Sequence, residues 1–359
     1  MSFKSKYLWA IFSPLLILLV ITARPANTAQ NLEDTNSDTI SLTFTGDILP
    51  HKALYEKAKV NPGYNFNFAF KDIKTLLNAD ANLCHLETPL TEGRPSTYPV
   101  FGTPLQIVPA LAWAGFTGCD QASNHTLDKG YTGVSLTKKE FTAQNMFLAG
   151  TKIDSADSPI SYFSVKGHTV ALLAYTYGTN GVKIPTTHPG LVNLINKKSI
   201  VKELKIAKSK AELVILYLHW GQEYQEKITP SQEKLASSLT ALPYVDVIVG
   251  SHAHVLQPAQ LVNGKPVLFG LGNFWSGQGS WSNQPKGQIS LIAKLEFTFK
   301  DGKASYAGGN SYATFVQRGT FAIKNASKSN DPVACLALKE VSRLYNAVLS
   351  TQPLCKTKN

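Results

Sequence analysis

The chain has 359 residues, of which 43% are hydrophobic and 10% aromatic, and this composition excludes a disordered or collagen-like protein. Charged residues make up only 16%, and basic residues outnumber acidic ones by 35 to 24, for a net charge of +11. The basic residues occur in pairs such as Lys138-Lys139 rather than in long runs, so a nucleic-acid partner is not indicated. An anionic polymer or an anionic membrane surface fits the same charge.

Residues 1–29 have the pattern of an export signal, because Lys4 and Lys6 precede an uncharged apolar run over 7–23. The run is long for a cleaved signal peptide and short for a spanning helix, so a signal peptide and a signal anchor both stay open. A buried core helix is a third, less favoured reading. Positive charge before the run predicts that the rest of the chain is extracytoplasmic, either secreted or anchored to the cytoplasmic membrane. The polar segment 30–40 is predicted to be a linker.

Short strand-like runs then alternate with amphipathic segments. The predicted strands are 41–45, 82–86, 116–120, 146–150, 213–218 and 245–249, and the predicted helices are 70–78, 108–114, 131–144, 197–210 and 231–242. The runs 160–165 and 169–175 predict a hairpin, and 266–271 and 288–299 predict antiparallel strands. This order favours an α/β fold with two sheets over a single parallel sheet. Residues 301–359 are predicted to be a C-terminal extension with a helix.

Four cysteines are compatible with an oxidising compartment. Cys335 and Cys355 flank one helical segment, and we predict that they form a disulfide. Cys84 and Cys119 each end an apolar run, so they are neighbours in a sheet, paired with each other, or simply buried. None of the four makes a CxxC zinc motif.

Nearly every predicted strand ends in a side chain that binds metals. These side chains are Asp47, Glu87, Asn124, His219, His252 and His254. Because the carboxyl ends of strands in α/β folds face one crevice, we expect the six to converge. Imidazole and carboxylate ligands suit Mn, Fe or Zn, and a pair of ions would need a bridging carboxylate from Asp47 or Glu87.

The other histidines give weaker signals. His252 and His254 are expected to point to the same side of a pleated segment. His51 is predicted to begin a helix in preference to binding metal. His85 lies two residues before Glu87, which places it either behind the ligands or on the surface. His168, in the hairpin turn, and His188, in a Pro-rich loop, are predicted to be solvated.

Six motifs occur in one order along the chain: TFTGD (43–47), NLCHLETPLT (82–91), SNHTLDKG (123–130), LHWGQEY (218–224), GSHAHVLQP (250–258) and LGNF (271–274). With these motifs the chain resembles the CapA-like poly-γ-glutamate capsule-synthesis family, a branch of the calcineurin-like metallophosphatase superfamily. The resemblance implies a four-layer α/β/β/α metallophosphatase-like sandwich over 41–300. It also implies involvement with an anionic polymer such as poly-γ-glutamate, and with a membrane-bound synthesis complex.

The resemblance further implies how the ligands divide between ions. Glu87, Asn124, His219 and His252 would hold one ion, Asp47 and His254 the other, and Glu87 would bridge. Superfamily phosphatases usually carry Asp-x-His in the first motif, but this chain has Leu49 at the second position after Asp47. One metal position therefore lacks a ligand, so one ion, or one strong and one weak ion, is as consistent with the sequence as two.

His125 follows the predicted ligand Asn124 and is expected to protonate a leaving group, with Asp128 orienting its imidazole. Trp220 and Tyr224 are predicted to form an apolar wall. The sequence does not separate hydrolysis of a γ-glutamyl amide from hydrolysis of a phosphoester. Two alternatives stay open: a non-catalytic anchored component of a capsule polymer export complex, and an exported metallophosphoesterase such as a nucleotidase.

Overall fold

The structure, a computed structural model, describes residues 38–154, 157–278 and 285–355. The predicted export signal and most of the predicted linker lie outside these ranges. β1 begins at Thr39, so the last residues of the predicted linker 30–40 belong to a strand. Among the helices within these ranges, none combines the length and apolar character needed to cross a membrane.

The described residues form strands and helices that alternate along the first two thirds of the chain. The strands are β1 (Thr39–Leu49), β2 (Ala81–Leu86), β3 (Leu90–Thr91), β4 (Thr103–Pro104), β5 (Gly118–Asp120), β6 (Phe147–Ala149), β7 (Ser161–Val165), β8 (His168–Thr176), β9 (Leu213–His219), β10 (Val247–Ser251), β11 (Leu256–Val262), β12 (Lys265–Leu271), β13 (Asn273–Ser276), β14 (Ile289–Lys300), β15 (Lys303–Val316) and β16 (Ile323–Asn325). The helices are α1 (Lys52–Ala58), α2 (Asn67–Phe70), α3 (Ile107–Ala114), α4 (Gly130–Ala143), α5 (Lys197–Lys208), α6 (Pro230–Thr240) and α7 (Pro332–Tyr345).

Two large sheets carry the fold. The first has the order β16-β15-β14-β1-β2-β5-β6, with β13 beside β1, and the second has the order β11-β12-β10-β9-β8-β7. The strands that precede the predicted ligands are parallel to their neighbours: β1, β2 and β5 in the first sheet, and β9 and β10 in the second. Their carboxyl ends therefore lie at a common edge of each sheet.

Three apolar cores separate four layers. Between the sheets, Phe44 of the first sheet meets Tyr217 of the second, with ring centroids 6.0 Å apart. The outer face of the first sheet packs against α1, α2 and α3, and that of the second sheet against α5 and α6. Since both faces of each sheet are covered, central strands such as β2 and β9 are buried at every residue. The predicted α/β/β/α sandwich is confirmed.

One predicted helix is wrong. Residues 70–78 do not form a single helix, because α2 ends at Phe70 and a separate 3₁₀ turn covers Lys74–Leu76. Phe70 and Ile73 are nonetheless fully buried against the outer face of the first sheet. Apolar residues three apart fit two successive turns as well as one helix, so the pattern did not distinguish them.

The region after residue 300 contains the predicted helix and also strands that the sequence did not predict. β15 pairs with β14 along its whole length, and β16 pairs with the end of β15. Helix α7 packs against β15 of the first sheet and β11 of the second, and the Tyr345 hydroxyl donates to the carbonyl of Gly270 at 2.5 Å. The helix therefore closes one open edge of the sandwich.

Both cysteine pairs in the described residues are disulfides. Cys335, on α7, is bonded to Cys355 as predicted. Cys84 and Cys119 are register partners on β2 and β5 and are also bonded, so of the three readings they are both neighbours and paired.

The prediction that His168 is solvated is wrong. The hairpin turn consists only of Lys166 and Gly167, so His168 is the first residue of β8 and is 9% exposed. Its ring contacts carboxylates of Asp38 and Glu212 at 2.6 and 3.1 Å. His168 therefore lies at the amino end of its strand, on the opposite edge from the predicted ligands.

Candidate metal centre

The structure brings the six predicted ligands together. His254 Nδ1 lies 3.0 Å from Asp47 Oδ2, and His219 Nε2 lies 2.7 Å from Asn124 Oδ1. Glu87 Oε1 lies between these two pairs, 3.7 Å from His254 Nε2 and 3.9 Å from His219 Nε2. Glu87 therefore lies between imidazoles from two strand ends, and its bridging of two ions stays a prediction.

Asp47 is placed by an irregularity at the end of β1. The pairing of β1 with β2 shifts register between Phe44 and Asp47, and β1 then pairs with β13. A Cβ atom on Gly46 would lie 2.0 Å from the carbonyl oxygen of Gly272, which accepts a hydrogen bond from the Asp47 amide at 2.8 Å. Only glycine allows this approach of β13, and the approach positions Asp47 at the site.

His252 and His254 reach the site from a loop, not from a pleated strand, so that part of the prediction is wrong. β10 ends at Ser251, and both histidines have positive φ values, 88° and 56°. Such conformations are costly for non-glycine residues and cluster at functional sites. The left-handed turns direct both imidazoles toward the carboxylates while Ala253 between them stays buried.

Several ligand atoms at this site have no hydrogen-bond partner. Within the described residues, Asp47 Oδ1, both Glu87 carboxylate oxygens and His252 Nδ1 are buried without one. Buried carboxylate oxygens without partners are strongly unfavourable unless a cation compensates them. Two groups of side chains also offer ligand atoms within 4.8 Å of one another: Asp47, His85 and Glu87, and Glu223, His252 and His254. The residues therefore fit a divalent metal centre.

Burial and the neighbouring charges shift the pKa values of the carboxylates and imidazoles in this cluster. Burial raises the pKa of Glu87 to about 7, against the opposing pull of His254. Burial would lower the pKa of His254, but Glu87 and the hydrogen bond to Asp47 outweigh it and raise the pKa to about 9. Burial and the neighbouring His254 lower the pKa of His252 to about 3, and burial with His252 holds the pKa of His219 far below its ordinary value. His219 and His252 are thus kept neutral, the form in which imidazole binds metals.

His125 lies at the border of the cluster. Its Nδ1 is 2.8 Å from Asp128 Oδ2, and Asp128 also accepts a hydrogen bond from the amide of Phe101 at 2.7 Å. The Phe101 ring meets the His125 ring edge-on, with centroids 4.6 Å apart. The imidazole is therefore held on two sides, in the arrangement that a general acid and its orienting carboxylate require.

Besides Glu223, sequence reasoning missed three residues next to the predicted ligands. Asn273 Oδ1 lies 3.0 Å from His254 Nδ1, and Asn180 Nδ2 lies 3.5 Å from His125 Nδ1. The exposed ring of Tyr177 lies 4.5 Å from that of His252. Asn273 belongs to the LGNF motif, so the sequence could have indicated it. Asn180 and Tyr177 lie in a loop that contains no motif.

Two further sequence predictions concern the surroundings. Trp220 does not line the site: it is 3% exposed, and its Nε1 donates to the carbonyl of Phe269 on the outer side of the second sheet. It follows His219 directly, and consecutive residues point to opposite faces. Tyr224 does border the site, with its ring 6.0 Å from that of His254. His51 directly precedes α1, as predicted.

Comparison with known proteins identifies the family. The family model described as "Bacterial capsule synthesis protein PGA_cap" matches residues 41–278, so the chain belongs to that family. The chain is 29% identical over 276 residues to "PGA biosynthesis protein CapA" of Bacillus subtilis (strain 168), covering 74% of this chain and 71% of that protein. It is also 29% identical over 286 residues to "Capsule biosynthesis protein CapA" of Bacillus anthracis, covering 75% and 68%.

Among solved structures, the calcineurin-like phosphoesterase YfkN from Bacillus subtilis aligns with a TM-score of 0.49 and 14% identity. The alignment covers 86% of this chain and 97% of that one. The match of the family model to residues 41–278 confirms the predicted membership of the capsule-synthesis family.

Proposed function

We propose that the protein is an extracytoplasmic, metal-dependent hydrolase that acts on an anionic γ-glutamyl polymer during its synthesis, export or processing. The observation that carries the proposal is the buried ligand cluster around Glu87, with unpartnered oxygens and with His125 held at its border by Asp128. A cluster with a purely structural role would not need an imidazole beside it that a carboxylate holds in one orientation. The polymer is taken from the name of the Bacillus subtilis relative, "PGA biosynthesis protein CapA", and from the resemblance described above.

A bound divalent ion would supply Lewis acidity toward a carbonyl or phosphoryl oxygen and would activate water. The chain's own residues complete the chemistry. His125 donates a proton to the leaving group, and Asp128 keeps the ring in one orientation. Tyr177 and Tyr224, which are 49% and 44% exposed, border the opening beside His252 and His254.

The surface near the site supports an anionic substrate. A groove beside α1 is lined by Lys52, Lys59 and Arg94, with Glu56 as the acidic group among them. Helix α1 begins directly after His51, whose ring contacts Phe101, the residue that packs on His125. With a net charge of +11, the chain attracts polyanions over a long range, and this groove presents three basic side chains to them.

The function is tested by incubating the full chain with Mn²⁺ and three substrates: poly-γ-glutamate, a γ-glutamyl anilide and a phosphodiester. Shortening of the polymer, measured by size exclusion and by release of new amino groups, is expected and should stop when EDTA is added. Cleavage of the phosphodiester alone would favour an exported metallophosphoesterase. No turnover of any substrate, together with loss of polymer on deletion of the gene, would instead favour a non-catalytic export component.

The extracytoplasmic location is proposed from Lys4 and Lys6 before the apolar run and from the two disulfides. A reporter that folds only outside the cytoplasm, fused after residue 359, should be active. A reporter active only in the cytoplasm would overturn the location and leave the metal chemistry unaffected.

A further inference from the structure

His85 is buried in the centre of the first sheet, beside the predicted ligands. It lies on β2, is fully buried, and has Asp47 of β1 and Asp120 of β5 as its register partners on either side. The surface position that the sequence left open is therefore excluded.

The two nitrogens of the His85 ring have different surroundings. Nδ1 lies 2.9 and 3.0 Å from the two oxygens of Asp120, a carboxylate that is itself 1% exposed. Nε2 is buried and has no hydrogen-bond partner within the described ranges. When Nδ1 carries a hydrogen donated to Asp120, Nε2 presents a lone pair. This is the pattern of metal-binding histidines, whose second nitrogen usually donates to a carboxylate.

Two carboxylates close to the His85 ring also have buried oxygens without partners within the described residues. Asp47, His85 and Glu87 each offer a ligand atom within 4.8 Å of the other two. Asp47 Oδ1 and both Glu87 oxygens are buried without hydrogen bonds in the part of the chain that the structure describes. A shared cation satisfies all three groups at once.

We propose that His85 is the fourth protein ligand of the ion position formed by Asp47, Glu87 and His254, and that Asp120 is its positioning residue. His85 thereby supplies the imidazole that Leu49 cannot. The chain would then hold two ions, with four protein ligands at each position and Glu87 shared. The inference rests on the metal centre of the proposed function, but not on the substrate or the reaction.

The test measures metal stoichiometry and affinity in the full chain. Wild type, His85→Asn and Asp120→Asn are dialysed against Mn²⁺, and bound metal is measured by elemental analysis and by electron paramagnetic resonance. His168→Asn is the matched control, because it also removes a carboxylate-flanked imidazole, at the far edge of a sheet. Melting curves recorded in EDTA report on folding.

Wild type and His168→Asn are expected to bind two ions per chain and to show the signal of a spin-coupled pair. His85→Asn should bind one ion and show an uncoupled signal. Asp120→Asn should keep two positions, one of them weakened about 10- to 100-fold.

The inference is overturned if His85→Asn binds the same number of ions as wild type with the same affinity. If His85→Asn does not fold, Asp120→Asn decides: an unchanged affinity at both positions overturns the inference. No substrate enters these measurements, so a chain that loses one ion in His85→Asn but hydrolyses nothing retains this inference and loses only the proposed reaction.

Discussion

At the scale of single residues, the site is organised around Glu87. This carboxylate is fully buried and lies within 4 Å of imidazoles from two different strand ends, His219 at the end of β9 and His254 after β10. Each partner comes from the second sheet, whereas Glu87 follows β2 of the first sheet. Glu87 therefore joins the two halves of the sandwich at one point, and a cation there would be held by both sheets.

Removing both histidines after β10 should abolish tight metal binding. His252→Ala combined with His254→Ala takes one imidazole from each predicted ion position, and each position has at most four protein ligands. Elemental analysis after dialysis should show less than one ion per chain. The double variant His168→Ala with His188→Ala, which removes two imidazoles outside the cluster, is the control. Unchanged metal in the first variant would show that the ion binds elsewhere.

His125→Ala separates catalysis from scaffolding. A general acid contributes on the order of 10²–10⁴ in rate, so turnover should fall by that factor while metal content stays the same. Asp128→Asn should lower turnover less, since it disturbs only the orientation of the ring. Turnover and a melting curve are measured on the same preparations. Full turnover together with a lowered melting temperature would mean that His125 only supports its loop.

The sequence predicts which strand ends carry the candidate ligands, because in each case polar side chains follow an apolar run. It does not predict the role of His85. The neighbours of that ring depend on β2 lying between β1 and β5, and no motif contains the strand order. The turn at His252 and His254 was also not predictable, since positive φ values at non-glycine residues leave no compositional mark.

At the scale of secondary-structure elements, the approach of β13 to β1 depends on Gly46. Gly46→Ala would place a Cβ atom 2.0 Å from the Gly272 carbonyl oxygen, so the strands must separate. Overpacking of this kind costs about 1–3 kcal/mol, and the shift should also displace Asp47 and weaken metal binding. Gly93→Ala is the control, because its new Cβ makes only an ordinary contact, at 3.6 Å with Thr91. Equal denaturation midpoints for the two variants would contradict the prediction.

The disulfide between α7 and the segment after it should stabilise the protein measurably. Cys335 and Cys355 are 20 residues apart, and closing a loop of that size contributes about 3 kcal/mol in the chain-entropy model. Cys335→Ser with Cys355→Ser should lower the free energy of unfolding in urea by up to that amount. The comparison uses oxidised wild type, and non-reducing peptide mapping verifies the pair. An unchanged urea midpoint would show that the disulfide does not restrict the unfolded chain.

Most elements of the first two sheets could be predicted from sequence, because buried parallel strands such as β9 are uninterrupted apolar runs. β15 could not, since its first eight residues are exposed or half-buried and include Gly308 and Gly309. Its membership of the first sheet depends on pairing with β14 rather than on its own composition. The division predicted at residue 300 consequently falls at the turn of a hairpin.

At the scale of the whole molecule, pH and metal act on the same groups. In the metal-free protein the pKa values of His85 and His254 are about 9, against 6.5 for an ordinary histidine, because the surrounding carboxylates outweigh burial. Their contribution to stability is complete below pH 6.5 and is lost as pH rises toward 9. The lowered pKa values of His219 and His252 destabilise the fold only below pH 6.5, outside this window.

Metal binding requires the deprotonated ligands, so it has the opposite pH dependence. The difference in melting temperature between Mn²⁺-loaded and EDTA-treated protein should therefore increase from pH 6.5 to pH 8.5. Differential scanning calorimetry at three pH values measures it, and the double variant of His252 and His254 should show no such increase. A constant difference in the wild type would mean that these histidines do not release protons when metal binds.

The position of helix α7 late in the chain has a consequence for the order in which parts of the fold can form. All six predicted ligands lie at or before residue 254, whereas α7 begins at Pro332 and joins β11 to β15 only after both strands exist. Every ligand therefore emerges, from the ribosome or across a membrane, well before the edge of the sandwich can be sealed. Until then β11 and β15 are exposed to solvent and to other chains. The disulfide between Cys335 and Cys355 can therefore form only after every predicted ligand has emerged.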